Sequence, residues 1–196
     1  MKIVGISGSP SKDGENDQAI DIALEIAKQK GFDVEKISLA EIQIKPCTSC
    51  YRCIDTEDCP ENEEDDMPLV YDLLKEADAI LISSPAYFGS MSAQLKALVD
   101  RTYLLAKNGQ LLKNKVGAAI AIAGSRNGGQ ELTIQGIHAW MKIMGMVVVS
   151  DGYNTGGILV KPIEKDEIGI KTIKGVVTRI CETLDRLNGK KEDSEE

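Results

Sequence analysis

A doubly wound α/β fold, built on a five-stranded parallel sheet in the order 2-1-3-4-5, is what this 196-residue sequence predicts. Three observations lead to it. Short apolar and β-branched runs alternate with segments of helical periodicity five times along the chain. The first of these runs begins at Lys2 and breaks at once into the serine- and glycine-rich stretch Ser7-Gly8-Ser9-Pro10, ahead of a helical pattern. The length suffices for one substantial core and is too short for two.

Strands are expected at Lys2–Ser7, Asp33–Ser38, 79–83, 116–121 and 146–150. Between them the helical period returns. Segment 17–30 places Ile20, Ala23, Leu24 and Ala27 on one face, with Gly31 as its stop. Segment 69–76 is a shorter helix, and 92–106 is patterned through Leu95, Leu98, Val99 and Leu105. Helices over 129–144 and 171–187 complete the set. The organisation is one domain over 1–188, an aperiodic insertion over 44–68, and a charged tail over 189–196 expected to be disordered. The glycine-rich stretch 151–167 is the second break in the pattern.

The formal net charge of −8 argues against nucleic acid as a partner. No apolar run approaches the roughly 18 residues of a membrane span, and the N-terminal apolar run is too short for a signal peptide. The expected location is the cytoplasm. In that reducing compartment the five cysteines read as metal ligands or redox groups rather than disulfides.

Three constellations carry chemistry. The first is Ser7-Gly8-Ser9-Pro10-Ser11-Lys12-Asp13-Gly14-Glu15-Asn16, between the first strand and a helix. Small residues let the backbone wrap a phosphate, to which amides, hydroxyls and the helix N-terminus are all favourable. The plain alternative is a tight turn with Asn16 or Asp17 as helix cap. The second lies at the carboxyl end of the third strand, where ligands bind in open α/β sheets. There Pro85-Ala86-Tyr87-Phe88-Gly89 sets two aromatics where a flat heteroaromatic ring can pack; alternatively they plug the next helix. On the same rim, Ser125, Arg126 and Gly128 lie in a polar loop whose amides suit ring carbonyls and nitrogens.

The third constellation is the most specific. Cys47, Cys50, Cys53 and Cys59 form a continuous C-x-x-C-x-x-C-x5-C run between Pro46 and Pro60. Such spacing lets one loop wrap an iron–sulfur cubane; a four-cysteine zinc site is the structural alternative. The acidic run 61–66 after it reads as a solvated face, or as negative charge lowering a cluster's potential. His138 and Cys181 fall within helical patterns and read as structural.

Together these residues resemble the archaeal and anaerobic bacterial iron–sulfur flavoproteins of the NADPH-dependent FMN reductase superfamily. The matching pieces are Gly8-Ser9-Pro10, the run from Cys47 to Cys59, the stretch from Ser84 to Lys96, and Ser125 to Glu131. The resemblance spans almost the whole chain outside the tail. It implies a flavodoxin-like fold, FMN, a 4Fe–4S cluster on the four cysteines, and a homodimer or homotetramer in which cluster and flavin lie near one another. Ser7, Ser9, Ser11 and Asn16 are then the candidate phosphate ligands. Pro85, Ala86, Tyr87, Phe88, Gly89, Ser125, Arg126 and Gly128 are the candidate ring ligands, with Arg126 able to offset anionic charge on reduced flavin. The chain departs from the family at Ser11, where an arginine is usual, and at Glu15-Asn16-Asp17, where an Asn-Thr pair is usual.

The expected function is transfer of electrons from a one-electron donor such as ferredoxin to a small-molecule acceptor. An NAD(P)H-dependent FMN or quinone reductase with structural zinc, and a redox-sensing module, are the alternatives. Because all four loops follow strands one to four, cluster and flavin are expected at the same carboxyl rim.

Overall fold

The computed structural model describes residues 1–56 and 58–189. Strands β1 (Lys2–Ser7), β2 (Asp33–Ser38), β3 (Ala79–Pro85), β4 (Val116–Ala123), β5 (Val147–Val148) and β6 (Gly157–Val160) form one sheet in which every pairing is parallel. The order is β2-β1-β3-β4-β5, with β6 also on β4. β3 and β4 are buried along their whole length, as apolar central strands with helices on both faces must be.

The fifth position of the sheet differs from expectation. A continuous strand over 146–150 is replaced by two pieces: β5 pairs with Val116 and Gly117 at the start of β4, and β6 with Ile120 to Ala123 at its end. The chain leaves the sheet between them and re-enters through Gly156 and Gly157, where an added Cβ would lie 2.4 Å from the Ala119 carbonyl and 2.7 Å from Ile120. The Gly-rich stretch is thus a re-entry point, not only a loop.

Helices α1 (Glu15–Gln29), α2 (Arg52–Asp55), α3 (Met67–Glu76), α4 (Ala93–Arg101), α5 (Tyr103–Lys107), α6 (Gln130–Ile143) and α7 (Glu167–Leu187) cover the sheet. α1 and α7 bury Ile20, Leu24, Val176 and Ile180 on one face; α3, α4 and α6 bury Leu74, Leu98 and Ile137 on the other. The single helix expected over 92–106 is broken at Thr102, whose hydroxyl donates to the Val99 carbonyl (2.6 Å) and accepts from the Trp140 indole (2.9 Å). α7 starts four residues before the expected 171 because the buried Asp166 caps it, accepting from the Gly169 amide at 3.1 Å. The insertion carries α2 and a 3₁₀ turn at Pro60–Glu63, short structures without an apolar period to announce them. Of the expected tail, residues 190–196 lie outside the described residues.

Candidate functional site

The loop after β1 is held against the loop after β3. The Gly8 amide donates to the Ser83 carbonyl at 2.7 Å, and a Cβ on Gly8 would meet that oxygen and Leu95 at 3.0 Å. Only glycine fits so close an approach. Ser92, the cap of α4, donates its hydroxyl to the Gly8 carbonyl and accepts from the Leu95 amide at 3.1 Å. Ser7, Ser9 and Asn16 are buried at the base of this loop, and Ser11 is exposed on its lip. Ser9 Oγ accepts from the Ser11 amide at 3.1 Å, while Asn16 Oδ1 accepts from the Ser83 hydroxyl at 2.7 Å. Gly14, not Asn16 or Asp17, stands at the helix cap. Ser7 Oγ is buried with no partner among the described residues, a hydroxyl left unspent beneath the loop.

The acids at the start of α1 divide. Glu15 accepts from the Ile163 amide at 2.8 Å, which directs its charge to the β6–α7 connection. Asp17 is buried, with Oδ1 unpartnered.

After β3, Tyr87 and Ser90 exchange both backbone hydrogen bonds, at 2.9 and 3.0 Å. The turn tip is Phe88 (φ 52°) and Gly89 (φ 74°), both left-handed. For phenylalanine that conformation costs about 1–2 kcal/mol, and the ring it presents is fully exposed, next to a half-exposed Tyr87. A strained turn that holds an apolar ring in solvent has no packing rationale, and a flat ligand supplies one. Pro85 is buried as the last residue of β3, with Ala86 half-buried behind it.

The loop after β4 meets this turn directly. Gly129 (φ 90°) lies so close that an added Cβ would be 2.7 Å from Gly89 Cα. Ser125 and Arg126 are exposed and Gly128 half-buried. Sequence reasoning missed Gln130, which sets the loop's shape: its amide nitrogen donates to the carbonyls of Ser125 (2.7 Å) and Leu159 (3.2 Å), and its oxygen accepts from the Gly128 amide (2.9 Å). A Gln one residue after Gly-Gly at a helix start was the available signal. Arg126 reaches Asp166 at 3.3 Å, so part of its charge is already engaged. Burial pushes the Asp166 carboxyl up, but the amides of Gly169 and Val160 and the Arg126 guanidinium outweigh it and hold it below the ordinary range.

Cys47, Cys50, Cys53 and Cys59 all line one cavity of about 320 Å³, bordered also by Tyr51, Asp100 and Tyr103. Ser49 (φ 58°) and Tyr51 (φ 60°) take left-handed conformations that curl the chain around it. All four thiols are free. The Arg52 amide, with Thr48 and the Arg52 charge, holds the Cys50 thiol below the ordinary thiol range against partial desolvation. Burial and then the neighbouring Cys59 push Cys53 up. Among the described residues, no group of three or more His, Cys, Asp or Glu side chains is gathered to hold a metal ion. Thiols spread around a cavity of this size suit a multi-atom cluster, each iron taking one thiolate, better than one zinc ion needing four sulfurs at about 2.3 Å. The residues present therefore fit a cluster.

What fixes this loop was not legible beforehand. Arg101 at the end of α4 and Asp65 form an ion pair at 2.5 Å with side chains 1% and 0% exposed. The guanidinium also donates to the Lys45 carbonyl (3.1 Å), ahead of Cys47, and to Asn62 Oδ1 (2.8 Å), behind Cys59. Asp65 accepts from the amides of Lys45 (3.0 Å) and Met67 (3.1 Å). One buried arginine thus clasps both ends of the cysteine loop. The acidic run is correspondingly not a bare solvated face: Asp65 is buried, Glu64 and Glu61 face Lys45, and Asp66 accepts from the Gln43 amide at 2.8 Å.

The expectation of a shared rim also changes. No residue of the cysteine cavity belongs to the loops after β1, β3 or β4. The cavity sits at the far end of α4–α5, by Asp100 and Tyr103, while the aromatic turn lies ahead of Ser92. The nine residues of α4 run between the two, a helix about 14 Å long at 1.5 Å per residue.

His138 and Cys181 are both buried. Desolvation, helped by Lys142, lowers His138 to about 4. Desolvation raises the Cys181 thiol to about 11. No helix among the described residues is long and apolar enough to cross a membrane.

A glycine-serine loop at a helix start, an aromatic turn and a polar loop meeting at one sheet edge define a flavin-binding protein of the flavodoxin-like class. The comparisons specify the family: the chain belongs to the NADPH-dependent FMN reductases, whose family model matches residues 1–157. Its fold and family make it an FMN-dependent oxidoreductase. It is 45% identical to the iron–sulfur flavoprotein of Methanosarcina thermophila, over 94% of this chain and 96% of that one. An iron–sulfur flavoprotein of Methanocaldococcus jannaschii is 40% identical over 94% and 97%. A flavodoxin-like WrbA-like protein from Agrobacterium tumefaciens superposes with a TM-score of 0.65 at 18% identity, covering 93% of this chain and 98% of that one, and shares the fold.

Proposed function

We propose that this chain is an electron-transfer oxidoreductase that uses FMN together with a 4Fe–4S cluster, passing electrons from a ferredoxin-like one-electron donor to a small-molecule acceptor. The observation that carries the proposal is that all four cysteines of the 47–59 run border one cavity in a chain of an FMN reductase family. Bound there, the cluster supplies single-electron transfer, and the flavin couples it to two-electron chemistry. Cys47, Cys50, Cys53 and Cys59 are the cluster ligands in this reading. Ser7, Ser9, Ser11 and Asn16, with the loop amides, hold the phosphate. Tyr87 and Phe88 pack on the ring beside Pro85, Ala86 and Gly89, and the loop of Ser125, Arg126 and Gly128 faces the ring edge.

Two features support self-association as a homodimer or homotetramer. Cavity and aromatic turn lie at opposite ends of α4, so a second copy is the economical way to bring cluster and flavin together. Between α4 and α6 runs an apolar groove lined by Met91, Val99, Trp140 and Ile143, of the kind subunit contacts cover. Free thiols suit the cytoplasm.

Purification without oxygen, followed by iron, sulfide, zinc and flavin analysis, tests the proposal. About four iron and four sulfide per chain with FMN is expected. Zinc without sulfide would reduce the cysteines to a structural clip on a plain flavin reductase, and absence of flavin would overturn the reading of the sheet edge.

A further inference from the structure

His138 is 9% exposed, and its Nε2 is buried without a partner among the described residues. The Thr155 hydroxyl oxygen is buried and unpartnered in the same way. Polar atoms left unmet in the interior are costly. Both residues line one cavity of about 560 Å³ between α6 and the chain that leaves β5, a volume ordinary for a small-molecule site. Gln135, His138 and Lys142 come from successive turns of one α6 face, and Val148 and Thr155 stand on the other side.

The lining is rich in donors and holds no carboxylate. Lys142 is its one charged residue. β5 is the edge of the sheet, and the amides of Val147 and Val149 are engaged by the carbonyls of Lys115 and Gly117, both at 2.9 Å. Alternation along the strand turns the Val148 amide the opposite way, out from the edge. Asp151, the acid closest along the chain, is outside the lining. Its carboxylate is occupied by the amides of Tyr153 (3.1 Å) and Asn154 (2.5 Å) and by the Asn154 side chain (2.7 Å).

We propose that this cavity binds the carboxylate or phosphate group of a small molecule, held by the Lys142 ammonium with the His138 imidazole, the Thr155 hydroxyl and the Val148 amide as further donors. A cation and several N–H and O–H groups facing one space, with no acid among them, are the complement of an anion. Desolvation and Lys142 keep His138 neutral at neutral pH, so the imidazole acts as a hydrogen-bond donor and Lys142 brings the charge. The site shares no residue with the cysteine cavity. Asn154 borders both it and the hollow beside Arg126 and Gln130, so an occupant adjoins the loop after β4 without entering it.

His138 is the chain's only histidine, so its ring is a unique reporter of the site. Wild-type holoprotein carrying nitrogen-labelled histidine is titrated with inorganic phosphate and, separately, with succinate, at neutral pH and constant ionic strength. The His138 ring resonances are expected to move and saturate with at least one of them, with a dissociation constant of about 1 mM or below. Response to phosphate alone assigns a phosphoryl ligand, and response to succinate alone a carboxylate. Lys142→Gln, a change at an exposed side chain, is expected to weaken that binding about tenfold or more. Ring resonances that stay in place with both anions, or that drift without saturating, would overturn the proposal, and so would equal affinity in Lys142→Gln. The readout is the histidine itself, so its outcome is separate from the metal and flavin analysis above.

Discussion

Asp65→Ala removes the carboxylate that Arg101 meets at 2.5 Å inside the protein. Both side chains are essentially inaccessible, so the variant leaves a guanidinium buried without its counter-charge. Breaking such a pair from one side costs about 3–5 kcal/mol. The amides of Lys45 and Met67 lose their acceptor as well, at roughly 1 kcal/mol or more each where water cannot reach them. All these groups lie on the cysteine loop or at its anchor, so the cheapest relief is for the loop to open while the sheet stays folded. Exchange of the Lys45 and Met67 amides in metal-free protein should therefore accelerate by about a hundredfold, near 3 kcal/mol, with a smaller fall in the global urea midpoint. The acid limb gives a second readout. Burial pushes the Asp65 carboxyl up, but Arg101 and the two amides outweigh it and hold it below the ordinary carboxylate value. The unfolded chain thus protonates first as pH falls, and the stabilisation is intact above the ordinary value and lost through the lower folded one. Asp65→Ala should lack that step. A change under about 1 kcal/mol in both local exchange and global stability would refute the clasp.

Phe88→Ala should leave urea stability within about 0.5 kcal/mol, since the ring packs on nothing, yet weaken FMN binding about tenfold by fluorescence titration, near 1.4 kcal/mol of stacking. His138 is held near 4, below its free value of 6.5, so only the unfolded chain takes up a proton between these values. Stability should then fall by roughly 2–3 kcal/mol as pH drops from about 6.5 to 4, and His138→Leu should flatten that limb in pH-dependent urea titrations. In metal-free protein, iodoacetamide followed by peptide mapping should label exposed Cys50, whose thiol is lowered, and spare buried Cys181, raised to about 11. Cys53→Ser should lower iron and sulfide per chain while FMN content is retained, because the cysteine cavity shares no residue with the aromatic turn.

What the sequence alone determined here is what short-range chemistry encodes. The alternation of β-branched runs with helical period sets a parallel sheet, and five strands in one compact chain favour the doubly wound order β2-β1-β3-β4-β5. The cysteine spacing is likewise local, because one loop supplies Cys47, Cys50, Cys53 and Cys59. The glycines and aromatics after β1 and β3 announce themselves because strand ends in such sheets converge at one edge. Only the tertiary structure decided the rest. Asp65 and Arg101 are 36 residues apart and look like ordinary surface charges until the fold buries them together. Gln130 becomes the brace of its loop only when Leu159 arrives from β6. The split of the fifth strand depends on backbone room beside Ala119 and Ile120. The distance from the cysteines to the aromatic turn is set by the length and direction of α4, a geometric consequence of packing that no local pattern carries.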